Sequence, residues 1–219
     1  HNLIRYNHIH HLGRNMVGGA SGIYTLARQP GTYIHHNLVH DLTKFTGKGG
    51  SHGTFGIQVD NGSAQIVFEK NVIYRVPNAC YKQMGTKHVV RNNVFAFCRG
   101  SQLHGGAGYE VLRRNDQGSL QFSHNIILSD NGMILGDSWS KQNFYMDYNL
   151  YWDTSDAETL DFGGMSFEKG QEKGNDRHSR VARPHFADPD GGDFTLTEDS
   201  PAYELGIEPI DLSAVGPRS

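Results

Sequence analysis

Asp60 ends the apolar stretch Gly56-Ile57-Gln58-Val59, and an acid that opens a turn after a strand points outward. It is therefore the first candidate for carboxylate chemistry. Hydrolysis of a glycosidic bond needs two carboxyls, about 5 Å apart for retention or about 6.5–9.5 Å apart for inversion. Asp137, Glu110 or Glu69 could serve as its partner, or the partner lies in coils upstream of this sequence. A turn aspartate that bonds its own backbone accounts for Asp60 at least as simply. Lys82, Gln83, His104, Arg113 and Arg114 form a candidate substrate-binding set, and Trp139 could offer a face on which a sugar stacks. The same cations suit a different reaction. A lyase needs a base such as Lys82 and a cation such as Arg113 or Arg114 to stabilise the enolate of a uronic acid. Solvated surface charge is the plain alternative for each cation.

Two further groupings stand out. His10 and His40 each follow an Asn by three residues, and His11 and Asp41 follow the same two Asn by four, so the four could form a two-by-two cluster. A metal is one reading of it, and a polar surface patch where His bonds Asp is the simpler one. Calcium on Asp188, Asp190 and Asp193 is a second metal reading, against which a capped turn explains the same residues. No metal or other cofactor is assigned on this basis. The Gly-rich run Thr46–Gly53 lacks the Gly-Lys-Ser/Thr order of a phosphate loop and reads as a loop beside a cleft.

The elements that must position these residues are visible as a repeat. Six segments align on Asn7, Asn37, Asn71, Asn93, Asn125 and Asn149, spaced by 30, 34, 22, 32 and 24 residues. Three residues before each Asn stands Ile4, Ile34, Phe68, Val90, Phe122 or Met146, always apolar. Two residues after it stands Ile9, Val39, Ile73, Phe95, Ile127 or Tyr151. Two residues before it the side chain is always polar. The pattern predicts a short strand, a bend at Asn, and a second short strand, with Asn side chains stacked and hydrogen-bonded from one repeat to the next. Parallel strands stacked about 4.8 Å apart would gather the apolar columns into one core. The expected fold is all-β: a right-handed parallel β-helix, a single solenoid with an irregular C-terminal cap.

A second column supplies the next strand of each coil: Gly22-Ile23-Tyr24, Gly56-Ile57-Gln58, Ala79-Cys80-Tyr81 and Gly132-Met133-Ile134, with Gly100–His104 in the fourth coil. Aligned this way, Cys80 takes an Ile/Met position as a small buried hydrophobe. Asp60 lies above Gln83, with Lys82 beside it. The insertion between residues 99 and 116 leaves either His104 or the Arg113–Arg114 pair next in line. The coils are expected over residues 1–153 and a capping segment of the same domain over residues 154–219. Because His1 begins inside a coil, further coils are expected upstream, as part of a longer chain.

Composition fits this picture. In 219 residues there are 27 Gly and 13 His, with 37 % hydrophobic and 11 % aromatic residues, too aromatic for a disordered chain. A formal net charge of −3 argues against a nucleic-acid partner, and the lack of a long apolar run against a membrane span. Two cysteines do not make a disulfide framework.

The segments Gly56–Ser63, Val90–Phe95 and Met146–Trp152, with the tail Gly174–Ser179, Asp193–Leu196 and Asp199–Ala202, resemble bacterial right-handed parallel β-helix proteins of the pectate-lyase-like superfamily. The likeness is greatest to β-helical glycoside hydrolases of the xylosidase and fucosidase type. It implies a secreted or periplasmic polysaccharide-degrading glycoside hydrolase that binds a polysaccharide or oligosaccharide along one face, with Asp60 and Asp137 as catalytic candidates. A polysaccharide lyase and a non-catalytic carbohydrate-binding module are the alternatives. This chain has Tyr81-Lys82-Gln83-Met84-Gly85 where related sequences often carry His, so no catalytic His is carried over.

Overall fold

The computed structural model describes residues 1–13, 20–44, 53–105, 120–136, 139, 144–155 and 160–217. Its strands fall into three parallel sheets. Sheet I contains β1 (Leu3–Arg5), β4 (Arg28–His35), β7 (Ala64–Glu69), β10 (His88–Arg91), β13 (Leu120–Ser123) and β16 (Tyr145–Asp147). Sheet II contains β2 (His8–His10), β5 (Leu38–His40), β8 (Val72–Tyr74), β11 (Val94–Ala96), β14 (Ile126–Ser129), β17 (Leu150–Asp153) and β19 (Arg180–Val181). Sheet III contains β3 (Ser21–Thr25), β6 (Phe55–Val59), β9 (Ala79–Gln83), β12 (Leu103–Gly105), β15 (Met133–Leu135) and β18 (Asp161–Phe162). Neighbouring parallel strands cannot be joined by a tight hairpin. From β1 to β18 the connection from one strand to its neighbour runs through one strand of each of the other two sheets, and β19 follows β18 with no sheet I strand between them. The chain thus advances in triplets, I to II to III.

The corner between sheets I and II repeats with little variation. From Asn7 through Asn37, Asn71, Asn93 and Asn125 to Asn149, each side-chain Nδ2 donates to the next Oδ1 at 2.8, 2.9, 2.9, 3.0 and 3.3 Å. The same Oδ1 accepts the preceding Asn backbone N–H, for example Asn37 to Asn71 at 3.1 Å. The second Nδ2 hydrogen goes to a carbonyl, such as Ile34 O from Asn71 at 3.0 Å. Asn37, Asn71, Asn93, Asn125 and Asn149 are fully buried, and such groups must be satisfied because an orphaned one costs about 1–3 kcal/mol. The bend lies one residue earlier than expected. Tyr6, His36, Lys70, Asn92, His124 and Tyr148 take φ between 50 and 57°, while the following Asn holds the bend through its side chain.

Apolar side chains from all three sheets, including Ile34, Phe68, Ile57, Tyr81, Ile73 and Phe95, form one core cluster. A second cluster covers the outer face of sheet II. There Val72, Val94, Ile126 and Leu150 pack against Phe194, Leu196, Ala202, Leu205 and Ile207 from the C-terminal segment. That segment holds a short helix, α1 (Phe167–Glu172), capped by Ser166, and an antiparallel pair, β20 (Phe186–Asp188) with β21 (Asp193–Leu196). It also ends the asparagine ladder. Asn149 donates from its backbone to Ser179 Oγ (2.8 Å) and from Nδ2 to the buried Asp176 carboxylate (3.2 Å). The tail then runs back along the same corner, with Glu208 on Lys70 (2.6 Å) and Gly216 N on Tyr6 O (3.1 Å).

Cys80 and Cys98 form a disulfide, Cα to Cα 5.9 Å, joining a sheet III strand to the chain just beyond the β11 strand of sheet II. The expected burial of Cys80 holds, and its bond to Cys98 was not expected. The residues are 18 apart in sequence and meet only because the corner between sheets II and III brings them together. Among the described residues no helix is long and apolar enough to cross a membrane.

Candidate functional site

The register of sheet III decides which side chains face out. Ile23 pairs with Ile57, Ile57 with Tyr81, Tyr81 with Leu103, and Leu103 with Leu135. Tyr81, not Cys80, therefore takes the Ile57 position, one residue away from the sequence alignment. Because side chains alternate across a strand, such a slip exchanges the faces. The outward column is Tyr24, Gln58, Lys82 and His104 in direct register. Gln83 faces inward: it is buried, accepts from Tyr81 Oη at 2.6 Å and donates to Gly85 O at 2.8 Å. It belongs to the core, not to a binding face.

Asp60 lies beside this column, two residues beyond Gln58, with its backbone N–H on Thr25 O at 2.9 Å. Tyr24 Oη donates to its Oδ2 at 2.5 Å, Gln58 Nε2 donates to the same oxygen at 3.4 Å, and Asn61 N donates to Oδ1 at 2.7 Å. Burial raises the carboxyl pKa, but the bonds from Tyr24, Asn61 and Gln58 and the nearby Lys82 charge outweigh it, so Asp60 lies below the ordinary aspartate value. The bond to Asp60, with burial and the carboxylate charge, raises Tyr24 to about 12, so the phenol stays a donor at neutral pH. Burial lowers the Lys82 ammonium, against the pull of Asp60. Lys82 Nζ sits 4.6 Å over the Phe55 ring, and His104 stacks on the same ring at 5.9 Å. Phe55 is a buried platform for those two side chains.

The other expected residues divide clearly. Trp139 is in the core, 2 % exposed, with Nε1 on Met146 Sδ and its ring against Phe122 and Phe144. It offers no face to a sugar, because the apolar volume among Tyr81, Phe122 and Phe144 is where a Trp gains most. Tyr24, 52 % exposed, is the aromatic side chain the column does present. Glu69 is tied to Arg91 Nε at 2.8 Å and to Tyr33. It closes β7, with about 16 Å of strand between it and Ala64 at about 3.3 Å per residue, so it is no partner for Asp60. Asp137, Glu110, Arg113 and Arg114 lie outside the described residues.

The cluster of His10, His40, His11 and Asp41 assembles, with His10 stacked on His40 at 5.4 Å and His40 Nδ1 on Asp41 Oδ2 at 2.6 Å. Among the described residues no three or more His, Cys, Asp or Glu converge on a point where a metal could sit. On the Asp-rich turn, Asp188 accepts from Gly191 N and Asp193 from Thr195 N. A groove of about 930 Å³ follows the turns beyond sheet II, lined by Asp41, Arg75, Phe97, Arg99 and Asp130 among others. None of the sheet III column lines it. Compared with protein-family models, curated proteins and solved structures, the chain matches none.

Proposed function

We propose that the triplets wind into a right-handed parallel β-helix whose sheet III face binds an extended glycan, and that the chain acts there as a glycoside hydrolase. Two points support the winding: the I–II–III order of strands from β1 to β18, and the strong right-handed bias of parallel crossover connections. The observation that carries the function is the Tyr24–Gln58–Lys82–His104 column with Asp60 beside it. It is an open, polar, registered face, and three donors hold an ionised carboxylate at its edge. A carboxylate kept below its ordinary pKa suits the nucleophile of a retaining reaction better than the acid. The acid partner would come from segments that carry Glu110 or Asp137. The Cys80–Cys98 disulfide supports a secreted or periplasmic setting, since such bonds persist in oxidising compartments.

One observation favours a second reading. Burial lowers Lys82 towards the range of a working base, as β-elimination from a uronic-acid glycan would need. Incubation with neutral and acidic polysaccharides separates the readings. New reducing ends without ultraviolet absorbance mean hydrolysis. An unsaturated product absorbing in the ultraviolet means a lyase. Retained glycan binding with neither product means a binding module and overturns both enzymatic readings.

A further inference from the structure

The tripeptide Asp-Asn-Gly occurs twice, as Asp60-Asn61-Gly62 and as Asp130-Asn131-Gly132. Asn followed by Gly is the pair best suited to internal attack by the backbone. The Gly nitrogen lies within reach of the Asn side-chain amide carbon, and Gly has no Cβ to block the approach. The reaction needs a side-chain amide free to turn and a backbone N–H free to lose its proton. Because the two tripeptides are identical, their local chemistry is the same, and only the fold can set them apart.

The fold holds Asn131 and leaves Asn61 loose. Asn131 Nδ2 donates to the carbonyls of Cys98, Arg99 and Gly100 at 3.2, 3.2 and 3.3 Å. Its Oδ1 accepts from Ser129 Oγ and from Met133 N, both at 3.0 Å. The attacking atom is tied as well, since Gly132 N donates to the Asp153 carboxylate at 2.7 Å. Asn61 is exposed, and among the described residues neither its side-chain amide nor Gly62 N has a hydrogen-bond partner. Ser63 N donates to Asp60 O at 3.0 Å, which closes a tight turn with Gly62 at φ 74°. Gly132 has nearly the same φ, 73°, so this angle does not separate the two sites. The hydrogen bonds do. Space is not limiting at Gly62 either, where an added Cβ would meet nothing closer than Ala27 Cα at 3.7 Å.

We propose that Asn61 is a self-modification site, which converts to aspartate and isoaspartate beside the sheet III column while Asn131 stays an amide. Gly62 N attacks Asn61 Cγ and forms the N–Cγ bond of a succinimide. The Cγ–Nδ2 bond breaks, and the amide nitrogen leaves as ammonia with the proton that Gly62 N gave up. Water then opens the ring. Addition at Cγ gives aspartate, and addition at the backbone carbonyl carbon gives isoaspartate, whose main chain runs through Cγ. Either product replaces a neutral amide by a carboxylate. The new charge adjoins Asp60, whose Oδ1 accepts Asn61 N at 2.7 Å. A like charge disfavours ionisation, so the Asp60 pKa rises as the site converts. The column thus carries a record of the age of the molecule. This inference does not depend on the glycan reading.

Ageing the folded protein at mildly alkaline pH, then digesting it under acidic conditions and reading the peptides that hold residues 61 and 131 by mass spectrometry, tests the proposal. Conversion at Asn61 should run at least about tenfold faster than at Asn131, the factor expected when the slower site must first break one ordinary hydrogen bond. In the reduced chain in denaturant the two sites should convert at closely similar rates. Equal rates in the folded protein, or faster conversion at Asn131, overturn the proposal. So does an Asn61 that resists in the folded protein and converts only in denaturant. The variant Asn61→Asp isolates the effect of the charge. Followed by its carboxyl carbon resonance, Asp60 should titrate at higher pH there than in the parent; an unchanged or lower midpoint overturns the coupling to Asp60.

Discussion

Sheets II and III are built from the same short parallel strands, yet their outer faces are opposite in character. Outside sheet II, Val72, Val94, Ile126 and Leu150 are at most 3 % exposed, beneath Phe194, Leu196 and Leu205. Outside sheet III, Tyr24 is 52 % and Leu26 50 % exposed, and the registered column is polar. The C-terminal segment covers one face, and among the described residues none covers the other. A covered face contributes stability and an uncovered polar face is available to a ligand. The boundary of the cover is visible in one column on sheet II, which changes from His10 and His40 to Tyr74, Ala96 and Leu128.

The sharpest way to break this contrast is at Asp60. Asp60→Asn should lower glycan hydrolysis by at least about 10³-fold, the scale for removal of a catalytic nucleophile, with the melting temperature nearly unchanged; unchanged turnover would remove Asp60 from the chemistry. The covered face should respond the other way. Phe194→Ala should cost about 3–5 kcal/mol in denaturant unfolding, as for other buried aromatic truncations, and leave glycan affinity as it was.

Beneath the open side, the third test is acid. His88 is buried and accepts at Nδ1 from Ile66 N while Nε2 donates to Ser63 O, and burial lowers it to about 4 despite those bonds. Its folded value lies below its unfolded one, so its stabilisation is complete above pH 6.5 and lost as pH falls towards 4, by about 3 kcal/mol in all. Unfolding free energies measured across that window should fall with pH in the parent and fall less in His88→Gln. The smallest effect is expected from Tyr24→Phe. Losing a donor raises the Asp60 pKa, so the acid limb of a hydrolysis pH profile should move upward by less than about one unit. A downward shift would contradict the bond assignment.

The asparagine corner was legible because its three columns recur six times, and a repeated corner must solve the same hydrogen-bond problem each time. The covered face was legible in principle. The residue after every ladder Asn but Asn7, from Leu38 through Val72, Val94 and Ile126 to Leu150, is apolar, as an outward position needs only if something lies on it. Sheet III was harder to read. Its turns vary in length, nothing like Asn marks its register, and an error of one residue put Gln83 outside and missed the Tyr24–Lys82 column. Trp139 was misread because its type suits both a core and a sugar platform, and only the positions of Phe122, Phe144 and Met146 choose between them. The disulfide depended on a corner whose geometry no local pattern encodes.

Every side-chain bond in the asparagine ladder points the same way, from Asn7 towards Asn149, and the last donates to the buried carboxylate of Asp176. Six amide dipoles, each of about 3.5 D, are therefore lined up head to tail like those of a helix. Their positive end meets an anion and their negative end lies at the exposed first corner. The stack has an electrical direction, and each link polarises the next. A triplet can be duplicated or deleted within the stack without disturbing that direction. A reversed amide anywhere would set two donors or two acceptors against each other. The ladder thus fixes the direction in which triplets can be stacked, in the way that polarity fixes the ends of a filament.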